Sequence, residues 1–386
     1  MPMMKTEKAG PFSDVMVVDL THVLSGPFCT MLLAELGARV IKVEHRGHGD
    51  DTRAFGPFYD GISIFFASVN RGKESIAMDF EQPDDRALQL EMIRRADVLV
   101  ENLRFATLEH LGVDYEQLRK INPRLIYAAI SGFGQTAALR NRPAYDPIIQ
   151  AMGGMMSING QPNDPPTRVG TSVMDYISGL FCLAGIEAAL YKRERTGEGS
   201  RIDVAMLDAE VAVLECALMH ALNGGPPVAR IGSRHPVVTP SDSFATADRS
   251  IYLIAANDEI FGRLCRAIGR PDLAQDPRFA SVVKRPQNHE PLKIEIERAL
   301  ASRTAVEWIT ILNQAEVPCS LINSIEEMVQ LPQVAERNMI VNAGGICMAG
   351  NPIKMSDLPD SPTRCAAPAL DSNGDDIRAE FTPAPK

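Results

Sequence analysis

The stretch "VMVVDLTHVLSGPFCTMLLAELGARVIKVE" leaves a chain few ways to fold. Its opening, 15–20, is an apolar run with β-branched residues that ends in a polar turn, the mark of a buried strand. A Ser-Gly-Pro turn follows, then apolar residues at helical spacing closed by Gly37, then a second buried strand over 38–44. Two such strands joined by a helix within about thirty residues form a βαβ unit, which implies a parallel sheet. The pattern returns in "LQLEMIRRADVLVEN" and in "LEHLGVDYEQLRKINPRLIYAAISGFG". The expected fold class is α/β, with an open doubly wound, Rossmann-like parallel sheet in a large domain. Such a sheet takes ligands beyond the C-terminal ends of its strands, here at 19–25, 44–49, 102–104 and 131–135.

At 386 residues the chain exceeds one ordinary core, so a second domain is expected. "NGGPPVARIGSRHPVVTPSDSF" is rich in Gly, Pro and Ser and marks the boundary; beyond it, shorter strands and helices alternate. The expected division is a large domain over 1–227, a smaller α/β domain over 228–325 and a C-terminal segment over 326–386. A formal net charge of −10 argues against nucleic acid or an anionic membrane as partner, although a few local Arg and Lys can still hold an anionic small ligand. Seven cysteines without disulfide or zinc spacing point to reduced thiols and no metal. "MPMMKTEKAG" lacks an apolar signal core, and no uninterrupted apolar run reaches about 18 residues, so a cytoplasmic protein is expected. The first turn, "THVLSGP", is not GxGxxG, and GxxxxGK[ST] is absent; nicotinamide cofactors and P-loop chemistry are disfavoured.

"PPTRVGTSVMDYISGLFCLAGIEAAL" places a single acid, Asp175, at the mouth of a long apolar helix. One reading is local: Ser172 to Asp175 has the S/T-x-x-D form of a capping box, and acids suit a helix's first turn. The other is chemical: a carboxylate held there stays ionised at neutral pH, and Gly170 and Gly179 let a substrate approach it as a nucleophile. Local pattern leaves both open.

The motifs around it, in order, are "DLTHVLSGPFCTMLLAELGARVIKVE", "NRGKESIAMD", "ADVLVEN", "NPRLIYAAISGFGQ", "YDPIIQAMGG", "PPTRVGTSVMD", "YKRERTGEGSRIDVAMLDA" and "VPCSLINSIEE". From about 14 to 340 the chain resembles the class III CoA-transferases, a family that also contains the α-methylacyl-CoA racemases. The resemblance implies that Asp175 attacks the thioester of a donor acyl-CoA. A mixed aspartyl anhydride and then an aspartyl-CoA thioester follow, and CoA passes to an incoming carboxylic acid. Neither ATP nor a metal is required, and acyl-CoA and a small acid are the partners. It also implies an interlocked homodimer.

The same resemblance implies that Val23, Leu24 and Ser25 form the turn that meets CoA and the acyl group. His45 and Arg46 stand where the family often has Glu-Arg-Pro near the nucleotide. Asn102, Leu103 and Arg104 match a turn that lies against CoA. Lys73 in "NRGKES" and His110 are further candidates for the CoA phosphates, each equally a plain surface residue. Tyr145 and Asp146 discriminate within the family. Racemase members place His-Asp there, and a tyrosine phenol is a poor base near pH 7, so transfer is favoured over racemisation. Gln150, one helical turn on, would face the same cleft.

Overall fold

The computed structural model describes residues 10–136 and 138–382. They divide into two compact units: 10–153, 169–214 and 331–382 in the larger, 154–168 and 215–330 in the smaller. The boundary expected at 227 therefore falls inside the smaller unit, and 154–168 joins it as well. Hydrogen bonds tie that segment to the chain after 227: Gly232 N–H to the Gly160 carbonyl (3.1 Å) and Arg230 Nη1 to the Ser157 carbonyl (3.3 Å).

Six strands organise the larger unit: β1 (Met16–Asp19), β2 (Arg39–His45), β3 (Glu74–Met78), β4 (Val98–Glu101), β5 (Ile126–Ser131) and β6 (Ser200–Ala205). Their order is β3-β2-β1-β4-β5-β6, and every pair is parallel. The order reverses between β1 and β4, which leaves a crevice where the connections from these strands part company. Val17, Val18, Val98, Leu99 and Val100 are fully buried, as strands sandwiched in a parallel sheet require.

Four helices matter for the site: α1 (Ser25–Glu35), α2 (Pro83–Arg95), α3 (Asp146–Gly153) and α4 (Val173–Thr196). Leu88, Met92 and Ile93 of α2 share a core with Val18, Ile41 and Leu99, and the C-terminal helix Gly374–Phe381 adds Ile377 and Phe381 to it. Thus the chain end returns to the larger unit. α4 packs on β5, β6 and α1, and stops at Gly197, whose φ of +73° no β-branched residue would accept readily. By length and composition α4 could cross a membrane, although no uninterrupted apolar run of about 18 residues occurs in the sequence; 44% of its most apolar window is buried within the protein. Asp175, Glu187 and the charged last turn interrupt that run.

The smaller unit has its own antiparallel sheet, β7 (Ser241–Ala245), β8 (Ser250–Ile254) and β9 (Cys319–Leu321), in the order β9-β8-β7. Its core gathers Phe244, Ile251, Phe261, Leu264, Trp308 and Leu312.

Candidate active site

Beyond β1 the chain turns through Thr21–Leu24 into α1, and buried charges hold that turn. Asp19 accepts from the Thr21 N–H (2.9 Å), the Thr21 hydroxyl (2.5 Å), the Thr30 hydroxyl (2.7 Å) and Lys73 Nζ (2.9 Å). Lys73 also donates to the Pro27 carbonyl (3.0 Å) and Asn70 Oδ1 (2.8 Å), and its side chain is sealed from water. The expectation of a phosphate contact at Lys73 is thereby corrected. An ammonium out of water must be paired and hydrogen-bonded, and Lys73 is, inward. Burial opposes charge on Asp19, but Lys73 and Lys42 outweigh it and hold the carboxyl below its ordinary value. For Lys73 burial prevails over the attraction of Asp19 and brings it down to about 8.

Lys42 donates to the Thr21 carbonyl (2.7 Å) and pairs with Asp50 Oδ2 at 2.9 Å. Asp50 Oδ1 accepts from the Val23 N–H (3.3 Å) and from the Thr52 N–H and hydroxyl. Asn102 accepts from the His22 N–H (2.8 Å) and donates to the His22 carbonyl (2.7 Å). Its amide thus fixes the turn. Leu24 is buried behind it.

Asp175 stands in the first turn of α4. Ser172 makes no capping bond with its side chain, so the expected capping box does not form. Asp146, at the start of α3, caps α4 instead: its Oδ1 accepts the Met174 N–H at 2.8 Å, while its Oδ2 accepts from Gln150 Nε2 at 2.7 Å. Gln150 Oε1 takes the Val169 N–H at 2.9 Å. Asp146 and Gln150 therefore hold the mouth of α4 rather than stand free in a cleft. The Ser25 hydroxyl donates to Asp175, which favours its charge, but burial and the charge of Asp146 prevail and push the carboxyl up to about 7. The expectation that Asp175 stays fully ionised at neutral pH is corrected accordingly: burial first, and the neighbouring charge of Asp146 second, hold the proton on. The Phe28 and Tyr176 rings meet edge to face at 4.8 Å beside it. Gly179 permits the close approach of α1 and α4, since a Cβ there would lie 2.7 Å from the Ser25 carbonyl oxygen.

Next to the turn lies a cavity of about 130 Å³, lined among others by His22, Asn102, Arg104, Arg140, Arg142 and Tyr145. Tyr145 is 64% exposed. The guanidinium of Arg140 lies over the Phe105 ring at 4.4 Å and that of Arg142 over Phe133 at 5.4 Å, so two of the three arginines lining the cavity are pre-ordered. Sequence reasoning missed Arg140 and Arg142; the two cations of "LRNRPAYD", just ahead of Tyr145, were the available signal. It also missed Glu101, the last residue of β4. That buried carboxyl accepts from the Leu103 N–H (2.8 Å), Tyr127 and Gln135, and burial pushes it up to about 8.

A second cavity, about 270 Å³, is lined by His22, Lys42, His45, His48, Asp50 and Leu103, among others. The His45 and His48 rings stack at 4.2 Å. Arg46 is turned away, to Asp85 at 2.6 Å, and His110 is exposed on a short helix; neither lines either cavity, a correction to both expectations. Among the described residues no group of three or more His, Cys, Asp or Glu is placed to hold a metal.

The family model for CoA-transferase family III matches residues 12–374. An acetyl-CoA:oxalate CoA-transferase of Acetobacter aceti is 49% identical over 373 residues, 96% of each chain. A succinate–glutarate CoA-transferase of Agrobacterium fabrum is 39% identical over 366 residues, 90% of each. Among solved structures, a CAIB/BAIF family protein from Brucella suis superposes with a TM-score of 0.85 at 35% identity, covering 97% of this chain and 100% of that one. Rv3272 from Mycobacterium tuberculosis, solved also as a D175A mutant, gives a TM-score of 0.87 at 32% identity over 95% of this chain and 99% of its own.

Proposed function

The chain belongs to CoA-transferase family III, and from that premise we propose that it moves CoA from an acyl-CoA donor to a free carboxylic acid through Asp175. The observation that carries the reading is the setting of that carboxyl: in the first turn of α4, touched by the Ser25 hydroxyl, and raised to about 7 by burial and by Asp146. A carboxylate in that state is more basic than a solvated one, and hence a stronger nucleophile.

Its oxygen adds to the thioester carbon, the C–S bond breaks, and CoA leaves as thiolate with an aspartyl anhydride left behind. The thiolate returns to the aspartyl carbonyl, releasing the donor acid and forming an aspartyl-CoA thioester. The acceptor carboxylate attacks that thioester, giving a second anhydride, and the freed thiolate takes the acceptor acyl group. Each step exchanges one acyl bond for another, so Asp175 is regenerated without a net oxidant or proton.

Arg104, Arg140 and Arg142 offer the cations that CoA phosphates need, and His45 with Leu103 borders the neighbouring cavity. A doubly wound sheet takes ligands on the side where its strands end, and these residues follow or close strands β2, β4 and β5. The acceptor class we assign is a small dicarboxylic acid, because the relatives named above act on oxalate, succinate and glutarate. The proposal includes a cytoplasmic homodimer. Its support is an exposed apolar stripe on α4, where Leu180 (47%), Phe181 (45%) and Tyr191 (65%) face outward.

Incubation with acetyl-CoA and hydroxylamine, followed by peptide mass spectrometry, tests the central step. A hydroxamate at Asp175, absent from Asp175→Ala, is expected. Full turnover by Asp175→Ala would overturn the reading.

A further inference from the structure

Val23 is a β-branched residue at φ +66°, a left-handed conformation that such side chains avoid. A strained residue of this kind persists only where its surroundings over-determine it. Here three successive residues are gripped. Lys42 Nζ takes the Thr21 carbonyl at 2.7 Å, Asn102 takes both backbone groups of His22, and Asp50 Oδ1 takes the Val23 N–H at 3.3 Å. Lys42 and Asp50 are locked to each other at 2.9 Å, with 0% and 1% of their side chains exposed.

A buried ion pair of this sort contributes little net stability compared with apolar residues of similar size. Its retention therefore points elsewhere, and each partner reaches out to the same turn. That turn delivers the chain into α1 at Ser25, the residue that touches Asp175. Gly179 lets α4 press against the Ser25 carbonyl, so a shift of the turn passes directly to the meeting of Ser25 with Asp175.

We propose that Lys42 and Asp50 are positioning residues for acyl transfer: together they clamp Thr21–Leu24 in a strained turn that aims Ser25 at Asp175. The inference rests on the reading of Asp175 as nucleophile. The clamp acts on the chemical step, so its loss is read in kcat.

The test is a suppressor experiment on the full-length protein, with kcat and KM measured for acetyl-CoA and a panel of dicarboxylic acids. Asp50→Ala removes the acceptor for Val23 and is expected to lower kcat roughly 10- to 100-fold, the scale of a misplacement of about 1 Å. Adding Val23→Gly should restore much of that loss, because glycine adopts the left-handed conformation without a clamp. A merely structural role for Asp50 predicts no rescue from position 23. Should Asp50→Ala fail to fold, Lys42→Met, alone and with Val23→Gly, is read in the same way. Wild-type kcat in the clamp variants, or a loss that Val23→Gly leaves untouched, overturns the inference while Asp175→Ala remains inactive. Turnover by Asp175→Ala would instead remove the reading beneath it.

Discussion

Replacing Asp175 by asparagine should make the folded protein more stable. The carboxyl titrates near 7 in the folded chain against an ordinary 3.8. Below pH 3.8 it is protonated whether the chain is folded or not, and it contributes no pH dependence. Between those values the unfolded chain loses the proton and the folded one keeps it, so folding loses ground as pH rises. At about 1.4 kcal/mol per pH unit, the difference amounts to about 4 kcal/mol above pH 7. Water that still reaches the carboxyl reduces it, and about 2–4 kcal/mol is expected. Asparagine has the same shape, still accepts from Ser25, and has no proton to lose. Thermal unfolding of both proteins from pH 4 to 8.5 checks this. The midpoints should coincide near pH 4 and separate progressively, with Asp175→Asn the higher at pH 8. Parallel curves, or a variant less stable at pH 8, would refute the account of why this acid is strained.

Two further outcomes follow from the same geometry. Gly179→Ala places a methyl group 2.7 Å from the Ser25 carbonyl oxygen, so α1 and α4 must separate; a loss of about 1–3 kcal/mol in chemical denaturation, together with slower turnover, is expected. Arg140→Ala or Arg142→Ala should raise KM for acyl-CoA roughly tenfold with kcat unchanged, and weaken its salt dependence, as measured by initial rates at low and high ionic strength.

β1, β2, β4 and β5 were legible because each is a short, mostly apolar run ending in a polar turn; β3 and β6, ESIAM and SRIDVA, carry no such run. The extent of α4 was legible because the helix stops at the glycine of "RTGEG". Its cap was not. Ser172 and Asp175 satisfy the local capping pattern, but the N–H in question goes to Asp146, far back in the chain, and only packing brings the two together. Lys73 misled for a related reason. A lysine in "NRGKES" reads as a loop cation, and nothing local shows that Asp19 waits for it at the end of central strand β1. Arg140 and Arg142 looked like any charged loop until Phe105 and Phe133 were seen to hold them.

The excursion of residues 154–168 out of the larger unit bears on how such a protein can diversify. Gln150, just before the chain departs, binds the Val169 N–H, just after it returns. That side chain works as a clasp across the neck of the detour. Lengthening the detour is cheap, since doubling a loop adds only about 0.6 kcal/mol of closure entropy. Insertions and deletions there can accumulate across a lineage while the residues on either side of the clasp keep their register.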